Sequence, residues 1–260
     1  MNNLEWEMID ILKKLKDKYG VTGVKAEFEA EGSRMEEMMR LKDVADKADL
    51  PITLKIGGAE AVTDIYNGII LGVDGLVAPM VETPYAVSKF LDVVKDYIQP
   101  DNRKNIKFTI NIETITAVNN MKDILLLDNM DLLDSITFGR SDFVQSLGKK
   151  KSETDSDNTF EYVFKTAKLV KERGLKFTLG GNITHHSISF LNKLYKDRLI
   201  DKFETRKIVF DALAIEKHPK AGINMALEFE LLWLKSKRRF YSKIKFEDEK
   251  RIENLEKRLS

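Results

Sequence analysis

The chain has 260 residues, 43% hydrophobic and 33% charged, with a formal net charge of +1 and no cysteine. That length suits one large α/β domain or two small ones, and the near-neutral charge gives no basic field for nucleic acid. The lack of cysteine excludes disulfides, thiolate metal sites and a cysteine nucleophile; with no signal-peptide pattern and no apolar run near the ~18 residues of a membrane span, the expectation is a soluble cytoplasmic protein that binds neither nucleic acid nor membrane.

In chain order, residues 3–19 predict an amphipathic helix with Leu4, Met8, Ile9, Leu12 and Leu15 on one side, stopped at Gly20. Val21 to Glu29 reads as the first strand. Ser33, with Glu36 three residues on, predicts a capping box for a helix over 35–47. Pro51 to Ile56 is the second strand, closed by Gly57-Gly58, and a helix follows over 59–71. Gly75 to Met80 is an almost wholly apolar third strand, and Pro84 opens the next helix.

The fourth strand, Ile106 to Ile112, alternates Ile106, Phe108, Ile110 and Ile112 with Lys107, Thr109 and Asn111, and stops at Glu113-Thr114. A helix over 117–127 follows. The fifth strand, 135–139, repeats the design: Phe138-Gly139-Arg140-Ser141-Asp142 is a strand, a glycine and then a carboxylate. A polar insertion around Lys149 to Asp157 precedes a helix over 159–173, and strand six is 176–179. A helix over 187–197 and a seventh strand near 206–211 come next, then an apolar helix over 223–238 and a charged helical tail.

Strand and helix alternate at least six times, the pattern of parallel βαβ units. Acids end several different strands, which favours a TIM-type (β/α)8 barrel over an open sheet. An eighth strand is not evident: the barrel is either incomplete or closed by an irregular segment such as 213–219. Residues 1–222 are assigned to the barrel with its N-terminal helix, and 223–260 to a C-terminal helical extension for oligomer contacts. Carboxylates at the ends of neighbouring parallel strands share one sheet edge, where α/β enzymes place their chemistry.

Three stretches then come in order, each at a strand end: Pro79-Met80-Val81-Glu82-Thr83, Ile112-Glu113-Thr114, and Phe138-Gly139-Arg140-Ser141-Asp142-Phe143. Together they resemble the HpcH/HpaI aldolase and citrate lyase β-subunit family of pyruvate- or phosphoenolpyruvate-binding barrels. The resemblance covers roughly residues 20–215. It implies a homo-oligomer with exchanged C-terminal helices, and a divalent metal, Mg²⁺ or Mn²⁺, held by Glu113 and Asp142. It also implies a 2-oxo acid such as pyruvate or oxaloacetate, bound by the metal and by amides at Ser141 and Asp142 beside Gly139, with an aldehyde or acyl-CoA as acceptor. Asn111 stands where the family has a Gln or similar residue. Lys55 stands where the family has Arg, which keeps the charge but loses the two-pronged geometry. The first strand of the family ends Asp-x-Glu followed by His or Asp; this chain has Glu27, Glu29 and Ala30. The acid is present and the aldolase base is not.

Elementary chemistry agrees with that assignment. Two carboxylates and water are the hard oxygen donors Mg²⁺ prefers, and the ion would polarise a carbonyl and favour an enolate. Lys55 and Glu29 are the catalytic candidates; Lys55, Asn111, Gly139, Arg140, Ser141 and Asp142 are the substrate-binding ones. A buried Lys55 with a depressed pKa would instead form a Schiff base. Plainer readings stand beside these. Glu113 and Asp142 could cap the helices that follow them. Arg140 could bind a substrate carboxylate or pair with a neighbouring acid, and the polar insertion could be a solvated loop or a lid. His185-His186 could supply a base or lie on the surface. The functional reading is a metal-dependent carbon–carbon lyase or synthase. The alternative is a catalytically altered ketoacid-binding barrel that serves as a regulatory or scaffold subunit.

Overall fold

The computed structural model describes residues 1–259. Helix α1 (Asn3–Tyr19) begins with a capping box: Glu5 N–H donates to Asn2 Oδ1 at 3.1 Å and Asn2 N–H donates to the Glu5 carboxylate at 2.7 Å. Strand β1 (Val21–Glu27) starts the barrel and α2 (Met35–Lys47) covers it. The expected Ser33/Glu36 box does not form. The Ser33 hydroxyl turns to Glu31, and Arg34 N–H is taken by Glu37 at 3.3 Å, because the helix spans the expected residues but its N-cap is Arg34, one residue after Ser33.

The chain continues through β2 (Ile52–Lys55), α3 (Val62–Leu71), β3 (Gly75–Ala78), α4 (Pro84–Tyr97) and a single turn α5 (Pro100–Arg103). After β4 (Lys107–Ile112), the expected helix over 117–127 is two short ones, α6 (Ile115–Asn119) and α7 (Met121–Leu125), which meet at Asn120. Next come β5 (Ser135–Gly139), α8 (Arg140–Ser146), a 3₁₀ turn Lys151–Asp155, α9 (Asp157–Glu172), β6 (Lys176–Gly180) and α10 (Ile188–Lys196). The last elements are β7 (Lys202–Glu204), β8 (Ile208–Asp211) and α11 (Pro219–Leu259). The apolar helix and the charged tail are therefore one continuous helix that starts four residues before 223.

The eight strands close into a barrel in sequence order. β1 through β7 are parallel, but β8 runs antiparallel to both β7 and β1. The expected seventh strand near 206–211 is the return arm of a β7–β8 hairpin, and it, not segment 213–219, closes the barrel. A hairpin replaces a crossover helix here because only residues 205–207 join the two strands. Its turn therefore lies at the same rim as the C-terminal ends of β1 to β7.

Strand alternation gives the barrel two chemically distinct faces. Val24, Ala26, Ile52, Leu54, Phe108, Ile110, Ile136 and Phe138 are buried on the face covered by helices. The alternate set, Lys25, Glu27, Lys55, Thr109, Asn111 and Thr137, is buried and polar. An ordinary barrel lumen is filled with branched apolar side chains. This one holds ions: Lys25 Nζ lies 2.5 Å from Glu204 and 3.5 Å from Glu27, tying β1 to β7 across the lumen. At the opposite rim, an aspartate just before every second strand accepts an N–H from an earlier strand. Asp74 takes Ile52 N–H at 2.8 Å, Asp134 takes Phe108 N–H at 2.9 Å, and Asp201 takes Phe177 N–H at 2.7 Å.

Candidate active site

The C-terminal rim holds a cavity of about 300 Å³ lined by Glu27, Glu29, Lys55, Asn111, Glu113 and Asp142, among others. Glu113 follows directly on β4 and is 3% exposed. It does not cap the next helix; Thr114 does, accepting from Ala117 N–H at 3.1 Å. The Glu113 carboxylate accepts instead from Asn111 Nδ2 at 2.9 Å and from Met80 N–H at 3.1 Å, and faces Lys55 Nζ at 3.4 Å. Met80 holds φ at +50°, a left-handed backbone that a non-glycine residue adopts only under local constraint, and so aims its amide at the acid. Gly139 is required beside it: a Cβ there would sit 2.6 Å from Glu113 Oε1 and Cγ.

Asp142 lies in the first turn of α8, whose cap is Gly139. Asp142 lines the cavity, and no described residue pairs with its carboxylate. The Asn111 side-chain oxygen is buried there without a hydrogen-bond partner. Among the described residues no three His, Cys, Asp or Glu side chains form a metal cage. Mg²⁺ keeps several waters and needs only one or two carboxylates, so an uncommitted Asp142, an orphaned amide oxygen and Glu113 fit such an ion in donor chemistry. The amides of Arg140 and Ser141 stay open because residue 181 is glycine at φ +81°: a Cβ there would lie 2.5 Å from both nitrogens.

Lys55 is buried at the end of β2, with Nζ 3.1 Å from Glu29 and 3.4 Å from Glu113. Burial alone would depress its pKa, but Glu113 and Glu29 more than offset that and hold it above the ordinary lysine value. That direction is the opposite of the depressed pKa a Schiff-base lysine needs. The Lys25 ammonium deeper in the lumen is also held above the lysine range, its burial outweighed by Glu204 and Glu27. Burial pushes the Glu27 carboxyl up, but Lys25, Lys55, Arg206 and Lys207 together bring it below its ordinary value.

Arg140 does not face the cavity. It is 0% exposed, and its guanidinium is held by Gly180 O at 3.2 Å, Gly181 O at 2.8 Å, Thr154 O at 3.3 Å and the Asp155 carboxylate. Its side chain has no donor left for a substrate carboxylate; it clamps the polar insertion to the end of β6. The 3₁₀ turn Lys151–Asp155 is therefore a pinned segment, also tied by Ser187 Oγ to Asp155 at 3.0 Å, and only Lys151 of it reaches the cavity. His185 and His186 are exposed and outside the cavity, their rings 3.9 Å apart. Sequence reading missed Lys25, Glu204 and Arg206, all on the cavity wall. A charge at alternate positions of an otherwise apolar strand was a visible signal for Lys25 and Glu27. Nothing in the sequence signalled that 204–206 turns at this rim.

Residues 55–173 match the family model of HpcH/HpaI aldolase/citrate lyase. The family resemblance holds. The HpcH/HpaI-type stretch runs from the last residue of β2 through α9 and hence includes Lys55, Asn111, Glu113, Gly139 and Asp142. The fold agrees with solved structures. A citrate synthase, SbnG, superposes with a TM-score of 0.62 at 19% identity, over 85% of this chain and 89% of its own. An HpcH/HpaI aldolase from Desulfitobacterium hafniense DCB-2 gives 0.61 at 15%, over 84% and 88%. An HpcH/HpaI aldolase/citrate lyase family protein from Burkholderia cenocepacia J2315 gives 0.59 at 12%, over 91% and 99%. No curated protein matches the chain by sequence. The matched family is one of aldolases and citrate lyases. No helix among the described residues is long and apolar enough to cross a membrane.

Proposed function

We propose that this HpcH/HpaI-type barrel is a metal-dependent carbon–carbon lyase or synthase acting on a 2-oxo acid such as pyruvate or oxaloacetate. The observation that carries the reading is the meeting of Glu113, Asp142, Asn111 and Lys55 around one cavity at the strand ends. Glu113 and Asp142 would hold Mg²⁺ or Mn²⁺, with the free oxygen of Asn111 toward it. A divalent ion bound there supplies a Lewis acid that polarises the ketoacid carbonyl. Lys55 adds a permanent positive charge beside the same oxygen, in a cavity where water screens it little. The open amides at Arg140 and Ser141 offer two donors to the ketoacid carboxylate. Glu29 lies 3.1 Å from Lys55, with an oxygen that makes no well-aligned hydrogen bond, and is positioned to take or return a proton at the substrate carbon. The acceptor, an aldehyde or an acyl-CoA, would enter past Arg206 and Lys151. Phe240, Ile244, Ile252 and Leu255 are exposed on α11, which supports a homo-oligomer built through that helix.

The test is calorimetry of Mg²⁺ and oxaloacetate binding, with turnover of pyruvate and an aldehyde assayed alongside. Glu113→Gln and Asp142→Asn should each abolish metal-dependent ketoacid binding. Normal binding and turnover in both variants would overturn the assignment. Ala30 in place of a base favours the alternative regulatory barrel, which binding by the wild type without turnover of any acceptor would select.

A further inference from the structure

The opposite rim carries a second concavity, of about 760 Å³, between α9, the starts of β6 and β7, and the end of α10. That volume is within the range of small-molecule sites, ~300–1,000 Å³. Its charge is lopsided: Lys171, Lys176, Lys196, Arg198 and Lys202 face two carboxylates, Asp201 and Asp211. Both acids are already engaged. Asp201 takes Lys171 Nζ at 2.8 Å and Phe177 N–H at 2.7 Å, and Asp211 caps the following turn through Leu213 N–H at 2.8 Å. Among the described residues, no ion pair within 4.0 Å is formed by Lys176, Lys196, Arg198 or Lys202.

Four unpaired cations around one hollow repel one another, and Lys202 is the most enclosed of them. Burial, and then the Lys176 ammonium, hold Lys202 below its ordinary lysine value. Elsewhere in the molecule an enclosed ammonium has a close carboxylate: Lys25 has Glu204, Lys55 has Glu29, Lys207 has Glu31. A partly buried cation left without a partner is destabilising, and the missing counter-charge is what a ligand would bring. The cations gather at one hollow of a chain whose net charge is only +1, so a small, local ligand fits them.

We propose that this hollow is a binding site for a small polyvalent anion, a phosphorylated metabolite or a polycarboxylate, separate from the ketoacid cavity. Lys202, half-buried, lies at the start of β7, with the exposed Lys176, Lys196 and Arg198 around it. Lys202 begins the strand whose other end, Glu204, holds Lys25 in the lumen, so occupancy is read near the ketoacid cavity through β7.

The experiment is titration calorimetry of the full chain with inorganic pyrophosphate and, in a second arm, tricarballylate, each at physiological salt. One saturable site is expected for at least one of them, and the arm that binds more tightly assigns phosphoryl or carboxylate chemistry. Each cation removed takes away a charge-assisted hydrogen bond, so the Lys176→Gln/Lys202→Gln variant should bind at least about tenfold more weakly. Lys151→Gln, at the other rim, should bind as the wild type does. A thermal melt without ligand checks that the double variant folds, and its melting temperature should equal or exceed the wild type because repulsion is relieved. Absence of saturable binding in both arms, or equal binding by the double variant, would overturn the proposal. A failure of ketoacid binding in the Glu113→Gln variant leaves this site untouched, so the two readings are separately refutable.

Discussion

Glu204→Gln isolates the ion pair that joins the first and seventh strands. In the wild type Lys25 Nζ lies 2.5 Å from Glu204 and 3.5 Å from Glu27, and the Lys25 and Glu204 side chains are each 11% exposed. Removing one partner of a buried pair costs about 3–5 kcal/mol because the other charge is left desolvated. Glu27 remains within reach of Lys25, so the expected loss is at the lower end, about 3 kcal/mol. With a urea slope near 3 kcal/mol per molar, the midpoint should fall by about 1 M at unchanged slope. The double variant Lys25→Met/Glu204→Leu removes both charges and should recover most of that loss, since an apolar pair of similar volume is often neutral. Far-UV circular dichroism against urea measures all of this. A midpoint shift under about 0.3 M in the single variant, or a double variant less stable than the single, would refute the account of the lumen as a desolvated ion pair.

Three further outcomes are expected. Gly139→Ala should expel the Glu113 carboxylate from its place, because the new methyl would sit 2.6 Å from Oε1; Mg²⁺ binding by calorimetry should be lost while the fold survives, and unchanged affinity would contradict the geometry. Lys55 is held protonated by Glu113 and Glu29, so borohydride treatment with pyruvate should leave the intact mass unchanged, and a pyruvyl adduct would restore the Schiff-base reading. Glu27 titrates below its ordinary value in the folded chain. Its contribution is therefore complete above the unfolded carboxylate value of about 4.3 and is lost as pH falls through the lower folded one. Melting temperature should drop more steeply below about pH 5 in the wild type than in Glu27→Gln, and parallel curves would refute that sign.

Much of the molecule was readable because it repeats a local rule. Parallel strands joined by helices need the βα period, and each apolar run followed by a glycine or an acid marks one unit. Glu113 and Asp142 stood out because both end a strand, and the topology of parallel strands alone brings such ends to one rim. Lys55 came from the family resemblance, as the residue standing where the family has Arg. The aspartates before β3, β5 and β7 were present in the sequence but silent, since their meaning lies in an N–H from an earlier strand, Ile52, Phe108 or Phe177.

The sequence by itself determined the strand count to within one, the helical cover, the alternation of the fourth strand and the two acids at the mouth. These depend on residue period and on neighbours a few positions away. Tertiary structure alone decided three other matters. Arg140 sits beside Asp142 in the chain, yet its side chain turns inward to Gly180, Gly181 and Thr154, because those carbonyls lie within reach only once β5 and β6 pair. Lys55 is held above its ordinary lysine value, because Glu29 and Glu113, which meet it, follow β1 and β4. The last strand is reversed, because closing the barrel through a three-residue turn leaves no length for a crossover. Each was decided by partners distant in sequence, and distance in sequence is what a periodic pattern does not encode.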